Sequence, residues 1–471
     1  PFNWSEDFAA VISKGGFDVV VGNPPYVNAI EMSRSIAAPE RRFMRSGYAT
    51  AVGAVDLYIY FFERGIELLK PGGKLGFITP NRWLSVSYGA ALREWLIDNA
   101  EFDSILNASD THVFEDADVY PVITILNKRS TGVPYKITAG RLEEMSAVPL
   151  GTDHDSAKLS TLPDNIMGFL LNDKLPITEK VFSQSARLGI VGEINATSTA
   201  AEADDYAAHV SDVPGHKIIN TGTIDQYTSL WGLRGFRKQG RVIAKPYLDL
   251  DHVSENRRRL YESSKIIFAK IALRSEAVYD SLGEYASIDT NCIHTMKDEF
   301  LPEYVLAWVN SRLYNYVFTC LFDGARMAGG YLGFSAPNLR CTPIKQIDTD
   351  AQEPFVKPAS RLSALYREKA EADDAFKTLI KTTFGMTSWP NANSAWWSLE
   401  SPTFVSNFRR RFNTSEVEDL MGAHAKHGAV VGEKVAEIVK LTQQIDRSFY
   451  KLFGLTRREI ELVEAMEFTY L

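Results

Sequence analysis

The sequence predicts an α/β domain, then a separate α+β domain, then a helical C-terminal region. Three observations carry this. Residues 1–130 alternate short apolar runs with amphipathic stretches, residues 211–350 hold several short β-like runs, and residues 355–390 and 430–471 are helix-rich.

In chain order, "FDVVVG" (17–22) is a short apolar run ending at glycine, which fits a buried strand. "DLYIYFFERGIELLK" (56–70) reads as an amphipathic helix closed by "PGG". "KLGFIT" follows as a second strand, "YGAALREWLIDN" as a helix, and "FDSILNA" and "PVITILN" as further strands. This alternation predicts a mainly parallel sheet with helices on its faces. Residues 136–210 read as a connector, with "GTDHDSAKLSTLPDN" as loop and "NATSTAAEADD" as a flexible polar segment at a domain boundary. The next domain, 211–350, ends in the helical "EYVLAWVNSRLYNYVFTCLF" and the turn "GARMAGGYLGF". In the last region, 351–471, Val435, Ile438, Val439, Thr442, Ile445 and Phe449 share one helix face, and an insertion interrupts the helices near 390–430.

The chain has 471 residues, of which 45% are hydrophobic and 23% charged, room for about three domains with a large core. No apolar run approaches the ~18–20 residues that span a bilayer, so no membrane partner is expected. Cys292, Cys320 and Cys341 lack metal-ligand spacing, which points away from a zinc site or disulfide framework and suits a reducing cytoplasm. The net charge of -8 does not advertise a nucleic-acid binder, but a basic groove can sit on an acidic protein.

The chemistry concentrates at Asn23-Pro24-Pro25-Tyr26, at the carboxyl end of the first strand, where open parallel sheets bind ligands. Two prolines remove two backbone donors and hold the Asn23 and Pro24 carbonyls free to accept. The Asn23 amide adds an acceptor and Tyr26 a flat stacking face. The plain reading is a strand-ending turn with a satisfied asparagine. The functional reading is a receptor for a planar ligand bearing an exocyclic amino group, such as adenine or cytosine.

"FDVVVGNPPYV", "DLYIYFFERGIELLKPGGKLGFITPNRWL" and "HVFEDADVYPVITIL" resemble consecutive blocks of the amino-methyltransferases that modify DNA at adenine N6. "SSKIIFAKIALRSEAVYDSLGEYASIDTNCIHTM" with "EYVLAWVNSRLYNYVF" resembles the TaqI-type target-recognition domain, and "IDRSFYKLFGLTRREIELVE" the ending common in type II restriction-modification methyltransferases. The resemblance implies an incomplete Rossmann-like methyltransferase sheet over 1–135, made of its C-terminal strands, then the connector 136–210, a target-recognition domain over 211–350 and the helical region 351–471. It implies S-adenosylmethionine as methyl donor, double-stranded DNA as partner, and a flipped-out base held by Asn23 and Pro24 and sandwiched by Tyr26 and Phe114. Asp56 either lines the donor pocket or is an acidic residue at a helix start. Trp83 reads as packing.

About sixteen residues precede the first strand, and the chain begins at Pro1. The family's glycine-rich donor loop has no counterpart there, since "SKGGF" does not follow a strand. The expectation is a fragment lacking an N-terminal methyltransferase segment, inactive alone and poor at binding the donor. Basic residues expected at DNA are Arg41 and Arg42 after the tip, and Arg234, Arg237, Lys238, Arg241 and Lys245 in the recognition domain, with Tyr227, Trp231 and Phe236 nearby. "RRR" (257–259) and "FRRRF" (408–412) are further basic runs; any such run is usually a solvated face, and together they make a DNA groove plausible. Two other functions compete: a DNA-specificity module without catalysis, and an N4-cytosine DNA methyltransferase. A nuclease would lie outside this chain, fused or separate.

Overall fold

The computed structural model describes residues 3–109, 120–130, 132–143 and 146–466. Contacts divide the chain into two compact units, Pro1–Arg187 with Tyr316–Gly333 and Arg340–Pro343, and Leu188–Asn315 with Phe334–Leu339 and Ile344–Leu471.

The first unit is built on six strands: β1 (Phe17–Gly22), β2 (Leu69–Pro80), β3 (Ala100–Asn107), β4 (Pro121–Lys128), β5 (Lys136–Glu143) and β6 (Ser146–Asp155). Their spatial order is β1-β2-β4-β3-β5-β6. β1 is parallel to β2 and β3 to β5, while β4 is antiparallel to both its neighbours and β6 to β5. The sheet is therefore mixed, not mainly parallel. β4 slots between β2 and β3 and runs back against both, and two residues between β5 and β6 are too few for a parallel crossover. Because β5 and β6 extend this sheet, part of the segment expected as a connector is strand.

Helices α1 (Ala29–Ser35), α2 (Ala38–Ser46) and α3 (Tyr58–Leu68) fill the crossover from β1 to β2. α3 buries Tyr58, Ile59, Phe62 and Ile66, a stripe at helical spacing. Gly65 lets it approach the sheet: a Cβ there would stand 2.4 Å from Leu75 Cδ1 and 3.1 Å from the Phe77 ring. α3 stops at Leu68, and the "PGG" expected to close it lies inside β2. Gly72, at φ +75°, absorbs the irregularity that shifts the register between Phe17 and Val19. α4 (Ala90–Asn99) precedes β3 and buries Arg93, whose guanidinium donates to the carbonyls of Trp83 (2.6 Å), Val86 (2.9 Å) and Asp164 (3.0 Å). Burial lowers its pKa to about 10. Trp83 is fully buried beside Phe62 and Phe102, a packing role.

β1 departs from the expected buried strand. It pairs only with β2 among the described residues, and Val19 and Val21 are 56% and 79% exposed. An apolar strand with one open edge is incompletely covered.

The second unit contains two four-stranded sheets. In one, Ala277–Asp280, Lys265–Ala269, Thr290–His294 and Glu193–Ala196 lie side by side, all antiparallel. The other orders Tyr285–Ile288, His216–Asn220, Tyr247–Leu248 and Val210–Ser211. The stretch read as a flexible polar segment is instead ordered: Glu193–Ala196 is a strand and Ala200–Ala208 a helix. Thr199 and Glu202 form a capping box at its start, and Arg257 pairs with Glu202 at 2.9 Å. Two long helices, α5 (Thr349–Thr383) and α6 (Thr414–Leu452), form the C-terminal region. Ile438, Thr442, Ile445 and Phe449 are buried along α6. The interruption is shorter than expected, residues 384–413, because Asn413 and Glu416 cap α6 and commit 414–430 to helix. Its aromatic side chains enter a core with Phe376 and Leu420, Trp396 stacking on Phe376 at 3.8 Å between centroids.

Lys265 and Asp280 form a buried ion pair at 2.7 Å, exposed by 0% and 1%. The ammonium also donates to the Tyr261 and Ser263 carbonyls, and the carboxylate accepts from the Glu284 and Tyr285 amides. All three ammonium protons are used, so the pair is tolerated in a core that would otherwise reject it. Asp280→Leu should destabilise the protein by about 3–5 kcal/mol in urea unfolding, because a buried ammonium loses its counter-charge. Lys265→Met with Asp280→Leu should cost clearly less than Asp280→Leu alone.

Candidate active site

The site is built where β1 ends. Gly22 lies opposite Phe77 of β2, and β2 runs on to Pro80, so Asn23 emerges beside the last residues of its parallel neighbour. Asn23 is exposed, Pro24 buried, Pro25 exposed and Tyr26 half-buried. Burial pushes the Tyr26 phenol up to about 12, so it stays neutral at physiological pH.

The chain leaving the tip is held in place from both sides. Asn28 caps α1, its side-chain oxygen accepting from the Ile30 and Glu31 amides while Glu31 accepts from the Asn28 amide. The Leu57 amide donates to the Val27 carbonyl at 2.9 Å. One Asp56 oxygen accepts from the Ala29 amide at 3.3 Å, the other from the Tyr88 hydroxyl at 2.6 Å, and Tyr88 lies 2.8 Å from the Tyr58 hydroxyl. Burial and the adjacent Asp56 carboxylate raise the Tyr88 pKa. Asp56 thus braces the segment after the tip.

Phe114 lies outside the described residues. Ser109 and Tyr120, the nearest described residues on either side, line a cavity of about 530 Å³ at the carboxyl edge of the sheet. Asn81 follows β2, Asn107 ends β3, Tyr120 precedes β4, and Arg141 and Arg326 add positive charge. Arg326 is pinned by Asp323 at 2.6 Å and by the Gly330 carbonyl at 2.9 Å, inside the glycine-rich turn that closes through Met327 and Tyr331. Sequence reasoning missed this cavity because its walls come from separate stretches. Asn81, the first residue beyond a strand, was the available signal.

The basic residues divide into engaged and available side chains. Arg41 donates to the Ser33 and Ile36 carbonyls. Lys238 pairs with Asp289 and Asp204, and Arg241 donates to the Ala207 and Val210 carbonyls. Arg257, Arg258 and Arg259 are paired with Glu202, Glu262 and Glu255. Arg234 donates to the Gly222 carbonyl while remaining exposed. Arg42, Arg237 and Lys245 are exposed and form no ion pair among the described residues. Tyr227 and Phe236 are buried core, and the Trp231 indole donates to the Pro246 carbonyl. These aromatic residues therefore do not form an open stacking platform.

All three cysteines are buried, and burial pushes each thiol up to about 12. Among the described residues no cluster of His, Cys, Asp or Glu could hold a metal, and no helix is long and apolar enough to cross a membrane.

Residues 1–114 match the Eco57I restriction-modification methylase family and residues 224–344 the TaqI-like C-terminal specificity domain. The chain carries an Eco57I-type methylase domain and a TaqI-like specificity domain. Residues 348–448 match a domain of unknown function, DUF8810. Type II methyltransferase M.PaeR7I of Pseudomonas aeruginosa is 39% identical over 127 residues, 27% of this chain and 21% of that protein. The type II restriction enzyme and methyltransferase RM.Eco57I of Escherichia coli is 30% identical over 199 residues, 41% of this chain and 19% of that protein. The chain spans about a fifth of the length of these curated relatives. Among solved structures, the type IIL restriction-modification enzyme MmeI in complex with DNA is 12% identical, with a TM-score of 0.41, covering 95% of this chain and 59% of that one. The methylase match holds the tip and its brace, and the specificity match holds Arg234, Arg237 and Lys245.

Asp56→Ala should speed hydrogen exchange at the Ala29 amide by about 10–100-fold, as expected for losing a charge-assisted bond. Unchanged exchange there would show that Asp56 does not brace the segment.

Proposed function

We propose that this chain is the acceptor-binding and DNA-reading part of a type II restriction-modification DNA methyltransferase that acts at adenine N6. The observation that carries the reading is the Asn23-Pro24-Pro25-Tyr26 tip, presented at the carboxyl end of β1 inside an Eco57I-type methylase domain.

A base inside a duplex is inaccessible, so the target nucleotide would be flipped out. The adenine amino nitrogen is a poor nucleophile because its lone pair is delocalised into the ring. The Asn23 side-chain oxygen and the Pro24 carbonyl would each accept one amino hydrogen. That draws the nitrogen toward a pyramidal shape and frees its lone pair, with no covalent enzyme intermediate. Tyr26 would stack on the base at about 1–3 kcal/mol, with Phe114 on the opposite face. Arg42, Arg237 and Lys245, together with exposed Arg234, are the side chains available to phosphates and bases; Arg41, Lys238 and Arg241 would have to give up internal partners first.

The donor implied is S-adenosylmethionine, which supplies an electrophilic methyl group. The described residues before β1 form two short helical turns, Trp4–Asp7 and Ala9–Ile12, and not a strand with a glycine-rich turn. Both oxygens of Asp56 already accept hydrogen bonds. We propose that donor contacts come from strand and loop added at the open edge of β1, and that the isolated chain binds donor poorly and is inactive. The second reading is a DNA-specificity module without catalysis.

In the complete protein, Asn23→Ala should lower labelled-methyl transfer to duplex DNA by on the order of a hundredfold or more, with DNA affinity retained. Normal turnover would remove the role given to Asn23. Label recovered at cytosine N4 would replace the adenine assignment, and absence of transfer by the complete wild type would favour the specificity module.

A further inference from the structure

The interruption between α5 and α6 contains a cavity of about 650 Å³, lined by residues 385–392 and 407–410. None of its lining residues is a carboxylate, and two are arginines, Arg409 and Arg410. The cavity beside Asn81 includes Asp173 and Asp323, and one beside His216 includes Asp249 and Asp251. The excursion 384–413 holds three arginines against the single acid Glu400, in a chain whose net charge is -8.

The three arginines differ in their bonds. Arg410 is anchored, donating to the Phe384 carbonyl, pairing with Glu416 at 2.7 Å and lying 5.3 Å from the Phe412 ring centre. Arg409 and Arg411, on either side of this anchor, are exposed and form no ion pair among the described residues. The loop is fixed underneath by Phe408, buried at 7% exposure, and by Asn407, which donates to Asn393 at 2.8 Å. Trp389 packs edge-on against Phe408 and lines the cavity. Two unneutralised guanidinium groups on a rigid loop, beside an acid-free cavity with hydroxyl and amide walls, suit an anion with several acceptor oxygens.

We propose that this excursion is a DNA-backbone clamp, in which Arg409 and Arg411 hold phosphates of the duplex read by the specificity domain. The proposal rests on the DNA-methyltransferase reading but assigns a contact that the specificity-domain match, ending at residue 344, does not include.

The test is the salt dependence of binding by the full chain to a fluorescent 30-base-pair duplex. Arg409→Ala with Arg411→Ala should weaken binding and reduce the slope of log affinity against log salt by about two. Arg409→Lys with Arg411→Lys should keep most of the slope, and both variants should match the wild type in thermal unfolding. Inorganic phosphate at equal ionic strength should not compete; if it did while the duplex slope stayed unchanged, the cavity would be a free-anion site and the proposal would fail. A wild type that binds DNA with the same slope as the alanine variant overturns the clamp and leaves the methyltransferase reading standing. A wild type that binds no DNA overturns both.

Discussion

The close approach of α3 to β2 at Gly65 is the constraint on which the candidate site depends. With no side chain at that position, the helix seats against Leu75 and Phe77 and returns the chain parallel to β1. Parallel pairing brings the carboxyl ends of β1 and β2 to one edge. The same helix begins at Tyr58, two residues after Asp56, so the element that closes the crossover also supports the tip. A larger residue at 65 would force Leu75 Cδ1 and the Phe77 ring to give way and disturb the seat of the helix on the strand that neighbours β1. Geometry at the tip is therefore set by packing about forty residues later in the chain.

The polar brace and the packing constraint have different tolerances. Leu75 and Phe77 set a packing distance, whereas the Asp56–Tyr88–Tyr58 chain is directional and its members strengthen one another. The two constraints act together on the tip: the core sets where it is, and the hydrogen bonds set which way the segment after it faces.

Much of this was legible from sequence. "FDVVVG" is strand over the residues expected, and the tetrapeptide stands at its carboxyl end as alternation and glycine placement suggested. What remained hidden has physical reasons. The exposure of Val19 and Val21 depends on which strand lies beside β1, and an apolar run looks the same whether its edge is covered or open. The ordering of 193–208 and the start of α6 were readable in principle from the capping boxes Thr199–Glu202 and Asn413–Glu416, but polar composition masked them. The basic runs were the least legible. Lys238 finds Asp204 and Asp289, and Arg257 finds Glu202, across separations of 34 to 55 residues, so no local pattern separates an engaged cation from an available one.

The buried thiols give the chain a property unrelated to its chemistry. Cys320 and Cys341 belong to the first unit and Cys292 to the second. With ionisation pushed up to about 12 and little or no surface presented, native cysteines are silent toward alkylating reagents at neutral pH. Each becomes reactive only when the packing around it opens. The chain therefore carries internal gauges of unfolding that mass spectrometry can read without any added label site.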